Sequence, residues 1–270
     1  MSKEKERLDI LLVERGFYES RQRAQGAIMA GLILVDGEKI NKAGTRVRRE
    51  ATLRILADDN PYVSRGGLKL EKALRVFEIK LGEKVVLDVG ASTGGFTHCA
   101  LKHGARRVYA VDVGWGQLAW CLRQDPRVVV MERTNIRHLK PDQLAERVDL
   151  ATIDISFISL EKVLPAVEEI LLPHGEVVAL IKPQFEAGPE KVGRGGVVRD
   201  PAVHREVLHD VILVTRRLGF GILGLTFSPL SGAKGNREYF LYGRKGAADL
   251  GGSWAEIIAN TVALAWQEVK

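Results

Sequence analysis

Two lysines and two acids stand beside apolar runs of the chain, where a charged side chain is costly unless it is used. Lys69 follows a pair of glycines at the start of an amphipathic segment, and Asp154 interrupts the end of an apolar run. Lys182 ends the next apolar run, and Glu238 precedes the last one. Any one of these residues alone is more often a surface charge at a strand end. Together they predict a Lys–Asp–Lys–Glu cluster suited to proton transfer.

A glycine-rich segment directly follows the apolar run at residues 85–89 and predicts a ligand at the turn. Glycine lets the backbone approach a ligand closely and adopt conformations that a side chain would block. In sheets of parallel strands, such a turn at the carboxyl end of the first strand binds nucleotide-like ligands. Asp112 ends the following apolar run, where a carboxylate can bind ribose hydroxyls. A purely structural turn is the alternative.

The chemistry of this segment favours S-adenosylmethionine over NAD as the ligand. The dinucleotide fingerprint has a second glycine two residues after the first, whereas this chain has Ser92 there, after Gly90. Asp88 immediately before the turn is unfavourable for a pyrophosphate but tolerable for a sulfonium cation without phosphate. Asn135 is placed to read the adenine edge or is a simple polar loop residue, and Phe157 lines the pocket or packs in the core. The predicted cofactor contacts are Asp88, Gly90, Ala91, Ser92, Thr93, Gly94, Gly95, Phe96, Asp112, Val113, Asn135, Asp154 and Phe157.

With a sulfonium donor, the charged cluster predicts methyl transfer to a ribose 2′-hydroxyl. A lysine with its ordinary pKa of about 10.4 is a poor base, because it is protonated at neutral pH. A neighbouring cation and partial burial lower such a pKa, while carboxylates oppose that shift and fix the geometry. We predict that Lys182 accepts the hydroxyl proton and that Asp154 holds Lys182 near the methyl donor. Lys69 and Glu238 orient the ribose and tune Lys182.

Alternating apolar runs and helical segments must position these residues. Helical segments, such as residues 160–171, separate the runs. This alternation is typical of a doubly wound, mostly parallel Rossmann-like sheet in the α/β class. The predicted strands, about seven in number, cover residues 85–89, 108–111, 128–131, 150–155, 177–181, 221–227 and 239–242.

The first 60 residues have a different pattern and predict a small α+β domain. Leucines at helical spacing over residues 8–12 predict a helix that Gly16 ends, and Ser20 is a candidate cap for a second helix. Ala24, Ala27 and Ile28 form its predicted inner face, and Gly31 closes it. Strands at 32–35 and 51–56, with a hairpin turn at Asp36-Gly37, complete the unit. A polar cluster at 58–61 predicts domains at 1–60 and 64–270, joined by a linker at 61–63.

The N-terminal motifs resemble the αL RNA-binding domain, first seen in a ribosomal small-subunit protein and present in many RNA-modifying enzymes. The resemblance implies that Arg7, Arg21, Arg23 and Lys42 face structured RNA, although solvated charges on an exposed surface are the alternative for each. The matching segments are Arg7-Leu8-Asp9, Leu12-Val13-Glu14-Arg15-Gly16, Ser20-Arg21, Ala24, Ile28-Met29-Ala30-Gly31 and Leu34-Val35-Asp36-Gly37.

The charged tetrad looks like that of the FtsJ-type ribose methyltransferases, and the whole chain is similar to the TlyA (haemolysin A) family. This resemblance implies cytidine 2′-O-methylation of ribosomal RNA in the small subunit and, in some members, the large one. The alternatives are a non-catalytic RNA-binding or assembly factor and, with less support, a membrane-active haemolysin. The segments that carry the resemblance to the TlyA family are 64–70, Asp154-Ile155-Ser156-Phe157, Ile181-Lys182-Pro183-Gln184-Phe185-Glu186 and Ser228-Pro229-Leu230, followed by Gly235-Asn236-Arg237-Glu238.

The charge and composition of the chain indicate which kinds of partner it binds. A net charge of +6 fits a polyanion such as ribosomal RNA, and Arg65, near Lys69, is placed to meet a substrate phosphate. The six histidines lack metal-ligand spacing, so we predict no metal, and we interpret Cys99 and Cys121 as buried thiols. No apolar run approaches the length of a membrane span, which predicts a cytoplasmic protein without a membrane partner. The glycine-rich loop at 188–196 is an RNA clamp or a passive connector.

Overall fold

The computed structural model describes residues 5–29, 31–56 and 60–269. The chain forms two compact units, divided between Pro61 and Tyr62. Ala30, and with it part of one quoted motif, lies outside the described residues, as do the two aspartates at 58–59 that helped to predict the linker. Tyr62 is buried in the core of the second unit. Two residues of the predicted linker, Tyr62 and Val63, therefore pack as part of that unit.

The first unit is a small α+β fold with two sheets. One sheet pairs β1 with β4, and the other has the order β3-β2-β5. The turn between β2 and β3 is the predicted Asp36-Gly37 hairpin, with both residues at positive φ (51° and 88°). The elements are β1 (Lys5–Arg7), α1 (Leu8–Glu14), α2 (Arg21–Met29), β2 (Ile33–Val35), β3 (Glu38–Ile40), β4 (Arg46–Arg48) and β5 (Leu53–Ile55).

Helical spacing explains how the first unit packs. Leu8, Leu11 and Leu12 of α1 are buried against the inner face predicted for α2. The Ser20 hydroxyl accepts a hydrogen bond from the Arg23 backbone N–H at 3.3 Å, as expected of a helix N-cap. The strand β4 was not predicted, because three residues with a single buried side chain give almost no alternation.

The second unit is built around a seven-stranded sheet of order β11-β12-β10-β9-β6-β7-β8. Short 3₁₀ turns precede α6, separate β8 from β9 and follow α7. The elements, continuing the numbering, are α3 (Gly66–Val76), β6 (Val85–Val89), α4 (Gly95–Lys102), β7 (Arg107–Val111), α5 (Trp120–Arg123), β8 (Val128–Met131), β9 (Val148–Ile153), α6 (Leu164–Ile170), β10 (Leu171–Ile181), α7 (Pro183–Glu186), α8 (Pro201–Arg217), β11 (Phe220–Phe227), β12 (Tyr239–Lys245) and α9 (Trp254–Glu268).

The sheet is mostly parallel, as predicted. β6 pairs in parallel with β7 and β9, β7 with β8, and β9 with β10. β12 runs antiparallel to both of its neighbours, β10 and the edge strand β11. Some boundaries differ from expectation: β9 covers 148–153 rather than 150–155, and β10 begins at Leu171 rather than at 177. The segment predicted as a helix over 160–171 divides into a 3₁₀ turn and α6. Pro165, which has no backbone N–H to donate, fits only the first turn of α6.

Helices cover both faces of the sheet, so successive strand residues enter two different cores. Leu87 and Val177 pack with residues of α6, α8 and α9, whereas Val86 and Val178 pack with residues of α3 and α4. This burial on both faces explains why the central strands read as continuous apolar runs. It also leaves the carboxyl edge of the sheet as the place for polar chemistry.

The structure also bears on the predictions about the cysteines and about membrane spans. Cys99 is buried in α4 as predicted, but Cys121 is exposed, and the prediction of a second buried thiol is wrong. Cys121 lies on the four-residue helix α5, of which only Leu122 is buried. Within the described part of the chain, no helix is both long and apolar enough to cross a membrane.

Candidate active site

Lys182 and Asp154 meet at the carboxyl edge of the sheet. β9 ends at Ile153 and β10 at Ile181, and the two strands are parallel neighbours. The residues that follow them therefore emerge side by side. Lys182 Nζ lies 2.6 Å from Asp154 Oδ1, and only about a tenth of the lysine side chain is exposed. The predicted proximity of these two groups is confirmed.

Lys69 and Glu238 form the second half of the tetrad. Lys69 lies on α3, and Glu238 stands directly before β12. Lys69 Nζ is 2.6 Å from Glu238 Oε2, and the side chains are 12% and 3% exposed. Gly232 leaves room for the Glu238 carboxylate, since a Cβ at that glycine would overlap it. Each lysine thus contacts one carboxylate, and the four predicted residues form two ion pairs.

The glycine-rich turn after β6 is shaped by its packing. Gly90 has φ +85°, and a Cβ on it would lie 2.5 Å from the Asp154 carbonyl oxygen. The backbone N–H groups of Gly90 and Ala91 donate to the Val111 carbonyl at 2.9 and 3.1 Å. Gly94, at φ +96°, is the N-cap of α4 and lies against Leu122. Glycine at position 90 is required by the close approach of the Asp154 backbone, directly after β9.

Asp112 organises the loops next to this turn. One carboxylate oxygen accepts the Ser92 N–H and the other accepts the Gly114 N–H, each at 2.7 Å. Ser92, Thr93 and Val113 are exposed at the same edge. These groups fit the predicted cofactor: a carboxylate for ribose hydroxyls stands beside an apolar side chain, and residues 88–97 include no lysine or arginine.

Five of the predicted cofactor contacts are buried in this unit: Asp88, Ala91, Gly94, Gly95 and Phe96. The side chains of Asp88, Ala91 and Phe96 therefore have almost no surface for a ligand. Asp88 accepts hydrogen bonds from the hydroxyls of Thr97 at 2.6 Å and Thr152 at 3.3 Å. We therefore infer that the side chains of Asp88, Ala91 and Phe96 support the loop. The sequence could not separate support from contact, because both roles occur in one glycine-rich segment.

Burial raises the pKa of Asp88 to about 7, and this predicts a pH dependence of stability. The folded protein keeps the Asp88 proton at pH values where the unfolded chain, with a pKa near 4, has lost it. The contribution of Asp88 to the free energy of unfolding therefore falls as the pH rises from about 4 to about 7. Asparagine has no proton to lose. Urea titrations of the native protein and Asp88→Asn should show the native protein losing roughly 1–3 kcal/mol relative to the variant; a constant or growing difference contradicts this.

Asn135 and Phe157, two predicted cofactor contacts, lie in loops of the second unit. The Asn135 side-chain carbonyl accepts the Arg137 N–H at 3.1 Å and caps a 3₁₀ turn, so this oxygen is engaged within the protein. Phe157 has φ +66° and is 90% exposed, and its ring lies 5.0 Å from that of Phe185. Core packing is therefore wrong for Phe157, because the chain turns outward directly after β9.

The arginines predicted to face RNA are held by acids in the first unit. Arg7 makes two hydrogen bonds to the buried Asp9, at 2.9 and 3.0 Å, and Arg21 makes one at 2.8 Å. Gln25 donates to the same carboxylate at 2.6 Å. Asp9 thus orients two exposed guanidinium groups. The motif Arg7-Leu8-Asp9 includes Asp9, but the sequence pattern did not predict this role for it. Both arginines keep exposed surface, 38% and 51% of their side chains.

The remaining RNA candidates are surface residues. Arg23 pairs with Glu19 at 2.8 Å on the exposed face of α2. Lys42 is exposed in the first unit. Arg65, exposed at the start of α3, reaches the Ser231 carbonyl at 3.5 Å. These positions are open to a partner, and their contacts with RNA stay predictions.

Side-chain hydrogen bonds and an ion pair connect the loop at 188–196 to the rest of the second unit. Asn236 is buried; its side-chain amide donates to the Gly196 carbonyl at 2.8 Å and its side-chain oxygen accepts the Val198 N–H at 3.2 Å. Lys191 forms an ion pair with Glu206 on α8. Among the described residues, no group of three or more His, Cys, Asp or Glu side chains is arranged to hold a metal ion.

Comparison with known proteins identifies the second unit. The sequence model of the FtsJ-like methyltransferases matches residues 62–245, and that of the S4 domain matches residues 6–53. The chain belongs to the FtsJ-like methyltransferase family. As a member, it is an S-adenosylmethionine-dependent methyltransferase with an S4 domain in front. The predicted family, fold class, enzyme class and cofactor are thereby confirmed.

Individual relatives extend over nearly the whole of this FtsJ-like chain. It is 47% identical over 237 residues to the 16S/23S rRNA (cytidine-2'-O)-methyltransferase TlyA of Mycobacterium tuberculosis, covering 87% of this chain and 88% of the relative. It is 40% identical over 237 residues to hemolysin A of Brachyspira hyodysenteriae, covering 87% and 98%. A solved structure described as a hemolysin from Streptococcus thermophilus superposes with a TM-score of 0.78 at 44% identity, covering 99% of this chain and 98% of that one.

Proposed function

We propose that this FtsJ-like enzyme methylates the 2′-hydroxyl of cytidines in ribosomal RNA, in the small subunit and in the large one. The observation that carries the proposal is the close Lys182–Asp154 pair at the carboxyl edge of the sheet, beside the glycine-rich turn. The 47% identical relative whose name includes 16S and 23S rRNA supports the choice of RNA. Ribosomal subunits are the proposed partner, and the cytoplasm is the proposed compartment.

The chain's own residues divide the work of the reaction. S-adenosylmethionine supplies an electrophilic methyl group, and the 2′-hydroxyl must lose its proton as its oxygen attacks. Lys182 accepts that proton while Asp154, 2.6 Å away, holds its Nζ at the edge of the sheet. Lys69 and Glu238, themselves paired, bind and orient the ribose. Fixing the hydroxyl in line with the methyl group supplies much of the rate enhancement.

The S4 domain supplies affinity for structured RNA. Arg7 and Arg21, both oriented by Asp9, and the exposed Arg23 and Lys42 are the proposed phosphate contacts. Phosphate contacts position a protein on RNA without reading the base. Recognition of the target therefore rests on RNA shape together with the ribose site of the second unit.

The role of the turn after β6 in cofactor binding can be tested by adding one methyl group to Gly90. Gly90→Ala is expected to weaken S-adenosylmethionine binding at least about tenfold and to lower Tm by roughly 4–8 °C. The added Cβ would press against the Asp154 carbonyl, and alanine resists φ +85°. Gly82→Ala is the matched control, because a Cβ there meets nothing within 4 Å. Calorimetric titration and thermal melts measure both effects; normal cofactor affinity in Gly90→Ala would remove this turn from the proposed cofactor site.

The proposed function is tested by methyl transfer to ribosomal subunits that lack the modification. Radiolabelled S-adenosylmethionine, purified protein and small or large subunits are incubated, and the RNA is then digested to nucleosides. Label on the ribose of cytidine supports the proposal. Label on a base, or on another nucleoside, contradicts it. RNA binding without any transfer to subunits or free ribosomal RNA would instead favour a non-catalytic binding or assembly role.

A further inference from the structure

Lys182 has a second hydrogen-bond acceptor that the proposed mechanism does not use. Its Nζ donates to the Ser156 hydroxyl oxygen at 3.0 Å, in addition to the contact with Asp154 at 2.6 Å. The lysine side chain is about nine-tenths buried, whereas Ser156 is exposed at the edge of the sheet. Both acceptors lie on the segment that leaves β9.

Two acceptors have a specific consequence for a lysine that works as a base. A neutral amine carries two N–H bonds and one lone pair, whereas the ammonium form has three N–H bonds. When both N–H bonds are directed at fixed acceptors, the lone pair has one remaining direction. With a single acceptor, the second N–H bond and the lone pair could occupy either of the two remaining directions at Nζ.

The loop that carries Ser156 is itself held in place. Glu186, half-buried at the end of α7, accepts the Ser159 hydroxyl at 2.7 Å and the Leu160 N–H at 2.9 Å. The segment after β9 is thus fastened to the segment after β10 at two points, Lys182–Ser156 and Glu186–Ser159. Ser156 therefore sits at a fixed place relative to the lysine that it contacts.

We propose that Ser156 is a positioning residue that aims the Lys182 lone pair at the ribose 2′-hydroxyl. This inference rests on the proposed function, with Lys182 as the base. In the neutral amine form that acts as the base, the serine hydroxyl accepts one N–H of Lys182 and the Asp154 carboxylate accepts the other. The proton then passes from the ribose oxygen to the lone pair, and the oxygen forms its bond to the methyl group as the carbon–sulfur bond breaks.

Ser156→Ala and Ser156→Thr test the proposal in methyl transfer to ribosomal subunits. Ser156→Ala is expected to lower kcat about tenfold, with KM for RNA and the Kd of S-adenosylmethionine within twofold of native. Ser156→Thr restores a hydroxyl, and its extra methyl group has room because the site is exposed, so kcat returns to within about threefold. Ser253→Ala is the matched control, an exposed serine before α9 whose side chain makes no capping hydrogen bond.

A native kcat in Ser156→Ala, or a threonine variant no better than alanine, would overturn the inference. A merely structural role would instead weaken cofactor binding and kcat together. Side-chain ¹³Cε relaxation of Lys182, which needs no RNA, separates failure of this inference from failure of the proposed function. Lys182 is expected to become more mobile in Ser156→Ala than in the native protein, and unchanged mobility overturns the proposal whether or not methyl transfer is seen.

Discussion

Replacing Lys182 with alanine is expected to lower the rate of methyl transfer by a factor of about 10³, the range in which general bases contribute. The side chain is the base of the proposed mechanism, and Asp154 holds it 2.6 Å away. The Kd of S-adenosylmethionine should stay within about threefold of native, because the turn after β6 keeps its backbone contacts. Single-turnover methyl transfer with saturating cofactor and subunits measures the chemical step directly.

Two further lysine variants sharpen this result. Lys182→Arg keeps the positive charge but cannot release its proton at usable pH, so it should be as inactive as the alanine variant. Lys191→Ala removes a lysine of similar charge that pairs with Glu206 on an exposed surface and should keep near-native turnover. An active Lys182→Arg would mean that the charge matters and not the proton, which would end the assignment of Lys182 as the base.

Replacing Asp9 with alanine is expected to destabilise the S4 domain by about 3 kcal/mol, the usual cost of breaking a buried ion pair. The carboxylate is buried and accepts hydrogen bonds from Arg7, Arg21 and Gln25. Its loss also releases the two guanidinium groups that it orients. RNA affinity should therefore fall at least about tenfold, while S-adenosylmethionine binding by the second unit is retained.

Hydrogen–deuterium exchange of residues 5–56 measures this destabilisation. The four tryptophans all lie after residue 61, so their fluorescence reports on the second unit and should be unchanged. Glu19→Ala is the control, because it removes only the exposed pair with Arg23 and should cost under about 0.5 kcal/mol. Native exchange rates in Asp9→Ala would show that the buried carboxylate is dispensable.

The Asp9 carboxylate also predicts that the S4 domain loses stability in acid. The guanidinium of Arg7, then Gln25 and Arg21, hold the pKa of Asp9 well below its usual range against the effect of burial. A lowered carboxyl pKa contributes stability that is complete above the unfolded value near 4 and is lost as the pH falls through that value toward the folded one. Asp9→Ala should therefore lose its difference from the native protein in strongly acidic solution.

Local sequence patterns were sufficient for the fold of the second unit. Runs such as 85–89 and 128–131 became strands at the predicted residues, because fully buried parallel strands must be continuously apolar. The order of charges along the chain also placed Asp154 and Lys182 correctly. Each follows a core strand, and neighbouring parallel strands end at the same edge of the sheet.

Only the tertiary structure decided which groups meet. Lys69 and Glu238 are 169 residues apart, and their pairing depends on how α3 and the start of β12 pack around the sheet. Asp88, inside β6, proved to be buried and Phe157, after β9, proved to be exposed, although both stand near the ends of apolar runs. Periodicity along a chain encodes which face of an element is buried. It does not encode the partner across space, so side-chain pairings such as Asp9 with Arg21 and Lys182 with Ser156 emerge only when the elements pack.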